Sequence, residues 1–299
     1  MPATAQSPAA QPPADSVVRL MRSGFVTLVG RPNVGKSTLV NAMCGRKVSI
    51  VSDKPQTTRT RIRGIRTTAD SQIVFVDTPG LHKPVTALGE RVNATALDSV
   101  NDVDVVCLVI DATKPFGGGD KWVAGHLDIA DVILVLNKID AVKPDQVLGQ
   151  LVAASKLGAA AYFPVSAKTG AGVDELLGHL SAAMPEGPLY FPDDTVSDQP
   201  EELWVAELVR EQLLAVTRDE LPYSIATRVT EWEWPRIRCE ILVERDSQKG
   251  MVIGKGGAVL KEVGQRVRAQ LPEGAFIELF VKVDKDWQRK PDRVERLGY

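Results

Sequence analysis

The chain contains 299 residues, of which 44% are hydrophobic and 25% are charged. This length is enough for an α/β domain of about 150 to 170 residues and a smaller second domain. The formal net charge of −2 argues against a nucleic-acid-binding protein that is basic throughout, although a small total charge can conceal opposed patches. The three cysteines, none in CxxC spacing, argue against a disulfide framework and a zinc knuckle.

The first 22 residues form a leader rich in Ala, Pro and Gln, and we expect this leader to be disordered. It lacks the apolar core of a signal peptide, and the chain has no run of about 18 apolar residues that could cross a membrane. We therefore expect a cytoplasmic protein.

Short apolar segments alternate with segments of helical periodicity across residues 23–184. This alternation predicts an α/β domain with a mostly parallel, six-stranded sheet. Only TADS separates the strands TRIRGIRT and QIVFVD, and four residues cannot hold a crossover helix. These two strands are therefore predicted to form an antiparallel hairpin.

The pattern changes after Met184. Residues 185–200 contain four prolines and no periodicity, which is typical of an interdomain linker. Residues 201–299 predict a second, α+β domain with the element order αββααβ. Within this region residues 191–244 are net acidic and residues 245–299 are net basic.

The segment FVTLVGRPNVGKST combines an apolar strand, a glycine-containing turn and the start of a helix, and it matches GxxxxGK[ST] from Gly30 to Ser37. In such a P-loop the backbone N–H groups converge on phosphates, Lys36 reaches the β- and γ-phosphate oxygens, and the Ser37 hydroxyl ligates Mg²⁺. A chance glycine turn is the alternative, and the strand-loop-helix context disfavours it.

Asp77 ends the apolar strand of QIVFVDTPG, where an aspartate can hold the Mg²⁺ shell through water and the Gly80 N–H can contact the γ-phosphate. The preceding segment SDKPQTTRTRIRG is polar and basic, as is typical of a mobile loop. Thr57 or Thr58 would ligate Mg²⁺ there and order the loop only with GTP. We favour Thr58, and a solvated basic loop is the alternative.

The segment VLNKID supplies Asn137, Lys138 and Asp140. Such an NKxD motif selects guanine, because the Asp140 carboxylate accepts from N1–H and the exocyclic N2 amine, a donor pair that adenine lacks. The Lys138 stem can stack on the base, and FPVSAK places the Ala167 N–H near guanine O6. Together the ordered segments predict binding of GTP or GDP with Mg²⁺.

These assignments define the predicted nucleotide site. Its predicted contacts are Gly30, Arg31, Pro32, Asn33, Val34, Gly35, Lys36, Ser37, Thr38, Asp77, Thr78, Pro79, Gly80, Leu81, Asn137, Lys138, Ile139, Asp140, Ser166, Ala167 and Lys168. Lys36, Thr58 and Gly80 are the predicted catalytic residues, and Ser37, Thr58 and, through water, Asp77 are predicted to hold Mg²⁺.

Leu81 stands where Ras-like proteins carry a glutamine that orients the attacking water. Leucine cannot do this by hydrogen bonding, so slow intrinsic hydrolysis is predicted, with the water oriented by the backbone, another residue or a partner. GTPases with asparagine at the position of Asn33 often use a bound K⁺ to supply positive charge, and we expect K⁺ near Asn33.

A GxxG sequence, Gly254 to Gly257, lies between two predicted helices. In KH domains this loop clamps the backbone of about four single-stranded nucleotides, whereas a helix-capping turn is the alternative. The element order and the local basic charge favour RNA binding. The predicted RNA contacts are Ile253, Gly254, Lys255, Gly256, Gly257, Lys261, Arg266 and Arg268, with Lys249 extending the phosphate track and Val259 and Val263 beside Ile253 facing the bases.

The segments GRPNVGKSTLVNA, PQTTRTRIRGI, DTPGLHKP, NKID and SAK, followed by IGKGG, resemble the Era family of bacterial GTPases. The resemblance covers nearly everything after residue 22. It implies a P-loop GTPase domain followed by a type II KH domain, and a role in assembly of the 30S ribosomal subunit through the 3′ end of 16S ribosomal RNA. It also implies peripheral contact with the inner face of the cell membrane, for which the tail WQRKPDRVERLGY supplies a short basic segment.

A second hypothesis stays open at this point. The chain could be a membrane-peripheral signalling or cell-cycle GTPase whose main client is a protein, with a structural KH-like module. In either case we expect a monomer.

Overall fold

The computed structural model describes residues 21–82, 84, 86–217 and 221–299. The predicted leader lies outside these residues except for Met21 and Arg22, which already belong to the first strand. Met21 is buried and pairs with Gly187, so these two residues belong to the sheet and not, as the composition suggested, to the leader.

The first part of the chain forms a seven-stranded sheet in the order β2-β3-β1-β4-β5-β6, with β7 paired to β1. Its strands are β1 (Met21–Val29), β2 (Ile62–Thr67), β3 (Ser71–Asp77), β4 (Val105–Asp111), β5 (Val132–Asn137), β6 (Ala161–Pro164) and β7 (Glu186–Gly187). The mostly parallel α/β architecture is confirmed, and β2 and β3 form the predicted antiparallel hairpin. The seventh strand was not predicted, because two residues are too few to show a period.

Helices cover both faces of this sheet. They are α1 (Lys36–Cys44), α2 (Ala87–Asp98), α3 (Gly118–Ala124), α4 (Pro144–Ser155) and α5 (Val173–Ala183). One apolar cluster lies on each face, which explains why the central strands are continuous apolar runs. The residues that follow β1, β3 and β5 lie beyond the carboxyl ends of parallel strands, where α/β folds bind their ligands.

The second part of the chain confirms the order αββααβ and adds a short helix before the sheet and another at the end. Its elements are α6 (Glu201–Val216), α7 (Leu221–Ser224), β8 (Ala226–Glu233), β9 (Arg236–Val243), α8 (Asp246–Ile253), α9 (Ala258–Arg268), β10 (Phe276–Val283) and α10 (Pro291–Arg296). The sheet order is β10-β9-β8, with β10 parallel to β9. In the described ranges, no helix combines the length and the hydropathy needed to cross a bilayer.

The segment predicted as a linker lies along the first sheet. The buried Gln72 amide accepts from the backbone N–H groups of Tyr190 (2.8 Å) and Phe191 (3.0 Å) and donates to the Phe191 carbonyl (2.9 Å). The Tyr190 ring meets Phe25 edge-on, with centroids 4.8 Å apart. One buried side chain therefore holds in place part of the segment that composition alone predicts to be an interdomain linker.

Replacing Gln72 with Ala removes all three of these hydrogen bonds. We expect the Tyr190 and Phe191 amides to exchange with deuterium at least about tenfold faster, because a buried group that loses its partner costs about 1–3 kcal/mol. Gln150→Ala is the matched control, since the Gln150 amide holds the Phe116 N–H and the Lys114 carbonyl instead. Unchanged exchange at both amides in Gln72→Ala would contradict the anchoring role.

Candidate functional site

The predicted P-loop turns from the end of β1 into the start of α1, and Lys36 is the first residue of that helix. Its side chain is buried, and the ammonium donates to the carbonyls of Gly30 and Arg31, both at 3.2 Å. Burial lowers the pKa of Lys36 to about 8, although the nearby Asp77 carboxylate acts in the opposite direction. The loop therefore presents a cation whose charge a bound anion would stabilise.

Three oxygen-bearing side chains meet beside this lysine. The hydroxyls of Ser37 and Thr58 are 2.9 Å apart, and the Thr58 hydroxyl donates to Asp77 Oδ2 over 3.4 Å. Asp77 is fully buried, and its Oδ1 has no hydrogen-bond partner among the described residues. Burial raises the pKa of Asp77, while hydrogen bonding to Ser37 and Thr58 and the charge of Lys36 lower it.

This donor set fits the predicted Mg²⁺. Hydroxyl and carboxylate oxygens are the ligands that a hard divalent cation prefers, and an unpartnered buried carboxylate oxygen is costly without a positive charge nearby. The two threonines also differ. Thr58 joins the cluster, whereas the Thr57 hydroxyl donates to the Lys54 carbonyl at 2.7 Å. The geometry therefore favours Thr58 as the ligand, and the assignment stays a prediction.

At Gly80 the segment after β3 lies directly against the P-loop. A Cβ added at Gly80 would come within 2.6 Å of the Pro32 backbone nitrogen, so any side chain there would push the two segments apart. The next residue, Leu81, donates its N–H to the Gly30 carbonyl at 3.1 Å and buries its side chain in the core. Leu81 therefore holds the segment in place without exposing a polar group.

The guanine end of the site is organised around Asn137 at the end of β5. Its amide donates to the Val34 carbonyl (2.9 Å) and accepts from the Ala167 N–H (3.0 Å), so one side chain joins three predicted segments. The exposed Asp140 accepts from the Ser166 hydroxyl at 2.7 Å, which orients its carboxylate.

Lys138 spans the site in a left-handed backbone conformation, with φ of 68°. Its ammonium donates to the Asn33 carbonyl (2.6 Å) and to Asp111 (2.7 Å). Burial would raise the pKa of Asp111, but the bonds from Lys138 and Thr113 outweigh it and hold the pKa below its usual value. Sequence reasoning missed Asp111, although its position at the end of an apolar strand, like that of Asp77, is the signal that could have found it.

The residues predicted for this site differ in what they offer a ligand. Those that line the phosphate cleft are Pro32, Asn33, Gly35, Lys36, Ser37, Thr38, Thr57, Thr58 and Gly80. The side chains of Val34, Thr78, Pro79, Leu81 and Ile139 are buried or pack into the core, so these residues offer a ligand only their backbone, and their contacts with the nucleotide stay predictions. Arg31 extends outward to Asp120 (3.3 Å), and Lys168 is exposed.

Gln56 also lines the phosphate cleft, and the sequence did not single it out. It lies in the segment PQTTRTRIRGI, but the sequence assigned no role to its side chain. Its backbone φ of 61° and its contact with His82 appear only in the folded chain.

The GxxG loop joins α8 to α9 and is accessible. Lys255 and Gly256 are exposed, and Gly256 and Gly257 have positive φ of 60° and 79°. A Cβ at Gly254 would come within 2.9 Å of the Val259 backbone nitrogen, so the loop can close tightly only with glycine there. Lys261 and Arg268 are seven residues apart on α9, about two turns, and share one side of the helix.

One prediction about this second site was wrong. Val263 cannot face bases, because its side chain is completely buried in the core of the second domain, against which Val259 also packs. Arg266 lies about 140° around α9 from Lys261 and pairs with Glu262 at 2.5 Å, so it lies on a different side of the helix, and its contact with RNA stays a prediction. Helical phase, which a list of basic residues ignores, separates them.

Comparisons with known proteins agree with both parts of the chain. Residues 25–138 match the family described as 50S ribosome-binding GTPase, and residues 220–288 match the KH domain family. The chain is 48% identical to the GTPase Era of Mycolicibacterium paratuberculosis, over 93% of this chain and 99% of that protein. It is equally identical to the GTPase Era of Mycobacterium tuberculosis, over 93% and 98%.

Solved structures give the same result. A crystal structure of Era with MgGDPNP and nucleotides 1506–1542 of 16S ribosomal RNA superposes with a TM-score of 0.90 at 38% identity, covering 93% of this chain and 99% of that one. An Aquifex aeolicus Era variant bound to GDP and AlF4⁻ gives a TM-score of 0.89 at 38% identity, with the same coverage.

The low pKa of Lys36 predicts proton uptake when phosphate binds. A phosphate beside the ammonium stabilises its charge and raises its pKa. As the pH rises from about 7 to about 8.5, nucleotide binding should therefore be accompanied by uptake of more protons, and the affinity for nucleotide should fall. Calorimetry in buffers of different ionisation enthalpy measures this uptake. Lys156→Gln, which removes an exposed lysine remote from the cleft, should behave as wild type. A pH-independent affinity would contradict the prediction.

Proposed function

Because this chain belongs to the Era family of GTPases, we propose that it is a GTP-hydrolysing switch that binds small-subunit (16S) ribosomal RNA and acts in assembly of the 30S ribosomal subunit. The observation that carries the nucleotide part is the meeting of Lys36, Ser37, Thr58 and Asp77 at one cleft. Asn137 connects that cleft to the segments that recognise guanine.

Each group in the cleft has a distinct role in this proposal. Lys36 binds the β- and γ-phosphate oxygens, and the Gly80 N–H contacts the γ-phosphate. Ser37, Thr58 and Asp77 would hold Mg²⁺, which supplies positive charge to the same phosphates when bound. Asp140 and the Ala167 N–H select guanine over adenine. Since Leu81 offers no polar side chain, slow intrinsic hydrolysis follows.

The RNA part rests on the second domain. The match to the 50S ribosome-binding GTPase family ends at residue 138, so it concerns the nucleotide-binding part and does not choose an RNA. The similarity to Era solved with a 16S segment extends over nearly the whole chain. The exposed GxxG loop and the shared side of Lys261 and Arg268 then supply the phosphate contacts.

We also propose that nucleotide state changes the orientation of the KH domain, because the loop carrying Thr58, residues 52–61 (the switch loop), is bound to that domain on both sides of Thr58. The Thr57 carbonyl accepts from the buried Arg210 guanidinium of α6. Arg59 donates to the carbonyls of Ile225 (2.7 Å) and Tyr223 (3.1 Å). A movement of Thr58 on loss of the γ-phosphate would therefore pull on both contacts.

The segment after Gly80 makes a second connection. Helix α2 contributes Leu88 and Val92 to an apolar cluster shared with β8, β9 and the C-terminal tail, whose Trp287 and Tyr299 are buried. The Arg59 guanidinium lies 5.7 Å and 5.4 Å from the rings of Trp287 and Tyr299. Both nucleotide-sensing segments thus contact one interdomain interface.

We propose that the protein acts in the cytoplasm. The tail expected to support membrane contact turns its aromatic side chains inward, so membrane association stays an expectation from the family resemblance. The signalling hypothesis with a protein client is the second candidate, and RNA binding distinguishes the two.

Replacing Gly256 with Asp places a carboxylate in the loop that would contact RNA phosphates. We expect affinity for the 3′ segment of 16S ribosomal RNA to fall by about 10- to 100-fold, because juxtaposed like charges cost several kcal/mol. Gly178→Asp adds the same charge at an exposed, open position on α5 and should bind as wild type. Unchanged RNA affinity in Gly256→Asp, measured with GTP analogue and with GDP, would favour the protein-client hypothesis.

A K⁺ ion near Asn33 predicts a dependence of the hydrolysis rate on the monovalent cation. The Asn33 amide donates to the Asp53 carbonyl at 2.7 Å, so it already joins the P-loop to the switch loop beside the cleft. We expect single-turnover hydrolysis about tenfold faster in K⁺ than in Na⁺, equivalent to about 1.4 kcal/mol of barrier. In Asn33→Ala the preference should disappear, and equal rates in both salts for the wild type would exclude the K⁺ site.

A further inference from the structure

Leu81 has no polar side chain, but the folded chain places the amide of Gln56 beside the γ-phosphate end of the cleft. We propose that Gln56, held by His82, orients the water that attacks the γ-phosphate. This inference rests on the proposed GTPase function and deepens it, since it assigns the water-orienting role to a residue of the switch loop.

Gln56 has the required location. It lines the phosphate cleft together with Thr58 and Gly80, the residues assigned to the γ-phosphate end. Its left-handed backbone, with φ of 61°, costs a non-glycine residue about 1–2 kcal/mol, so the loop must be held in this form by its contacts. One of these contacts crosses to the segment after Gly80, where Gln56 Nε2 lies 2.8 Å from His82 Nε2.

The hydrogen bonds of His82 determine which way the Gln56 amide faces. His82 Nδ1 lies 3.0 Å from the Gly80 carbonyl, which can only accept, so Nδ1 carries the proton. In the neutral imidazole Nε2 is then an acceptor, and the amide group facing it must be the NH₂ of Gln56. The Gln56 carbonyl oxygen, which accepts no hydrogen bond from another described residue, is left to accept one from water.

His82 is itself anchored, and it acts as a positioning residue. Asn93 on α2 donates to the His82 carbonyl (2.5 Å) and accepts from the His82 N–H (3.3 Å). Asn93 of α2 therefore positions His82, and His82 in turn positions Gln56. The contact between His82 and Gln56 joins the switch loop to the segment after β3 across the γ-phosphate position, so both must be in place before Gln56 can orient water.

In the reaction the water oxygen forms a bond to the γ-phosphorus, and the bond from this phosphorus to the bridging oxygen breaks, leaving its electron pair on GDP. One water proton stays on the new phosphate and the other is released. Gln56 accepts a hydrogen bond from the water and takes no proton, so neither Gln56 nor His82 changes its protonation state.

The test is single-turnover hydrolysis of bound GTP by full-length Gln56→Ala, together with its affinities for GTP and GDP. We expect the rate to fall by about 10²-fold, the typical loss when one group that acts only in the transition state is removed. Both affinities should stay at wild-type values, which also shows that the variant is folded. The complex with GDP and AlF4⁻ should form poorly. Gln150→Ala, the same change on α4, should hydrolyse GTP as wild type.

His82→Ala supplies a second variant. If His82 acts through Gln56, the double variant should be no slower than Gln56→Ala alone. Independent, additive losses would overturn the positioning role. A wild-type rate in Gln56→Ala, or a rate lost only in proportion to GTP affinity, would overturn the inference while leaving the GTPase function intact. A wild-type protein that binds GTP without hydrolysing it would overturn the proposed function and this inference with it.

Discussion

The arrangement of the two domains depends on the hydrogen bond from the buried Arg210 guanidinium to the Thr57 carbonyl. The Arg210 side chain is completely inaccessible to solvent, and Glu207 one helical turn earlier supplies the compensating charge at 2.5 Å. Burial alone would lower the pKa of Arg210, but Glu207 more than offsets this and holds the pKa above its usual value. Breaking a buried ion pair is costly, because the partner that remains is a charge that is neither paired nor solvated. Helix α6 is therefore held against the Thr57 carbonyl. A second residue of α6, Glu211, accepts a hydrogen bond from the Val51 N–H at 3.0 Å.

In the switch loop held by this hydrogen bond, the four successive residues 56–59 contact four different parts of the molecule. Gln56 contacts His82, the Thr57 carbonyl contacts Arg210, the Thr58 hydroxyl faces Ser37 and Asp77, and Arg59 reaches the second domain. A short segment thus connects the metal cluster, the segment after β3 and the RNA-binding domain. Its conformation is held mainly by long-range hydrogen bonds, so loss of the γ-phosphate would change several contacts together. This is the physical basis for the proposed link between GTP hydrolysis and RNA binding.

Much of the fold and of the nucleotide site was predictable, because the relevant signals are local. A buried strand ending in Asp77 or Asn137, and a glycine turn entering a helix at Lys36, each define both a shape and a chemistry over a few residues. What the sequence could not show is how helices and segments pack in three dimensions. Val263 and Arg266 belong to a basic, glycine-containing stretch, but α9 turns the first into the core and the second toward Glu262. Composition predicted an interdomain linker over residues 185–200, but it could not show that Gln72 binds part of that backbone.

The sequence by itself determined the family, the α/β and KH architecture, the guanine and phosphate motifs and the absence of a water-orienting glutamine at position 81. These follow from residue types at short, fixed spacings. Only the tertiary structure decided that Thr58 rather than Thr57 meets Ser37, that Gln56 meets His82, and that Arg59 and Arg210 connect the switch loop to the second domain. The Arg59 and Arg210 contacts join residues more than 150 positions apart. They depend on how two separately folded cores pack together, which no local spacing encodes.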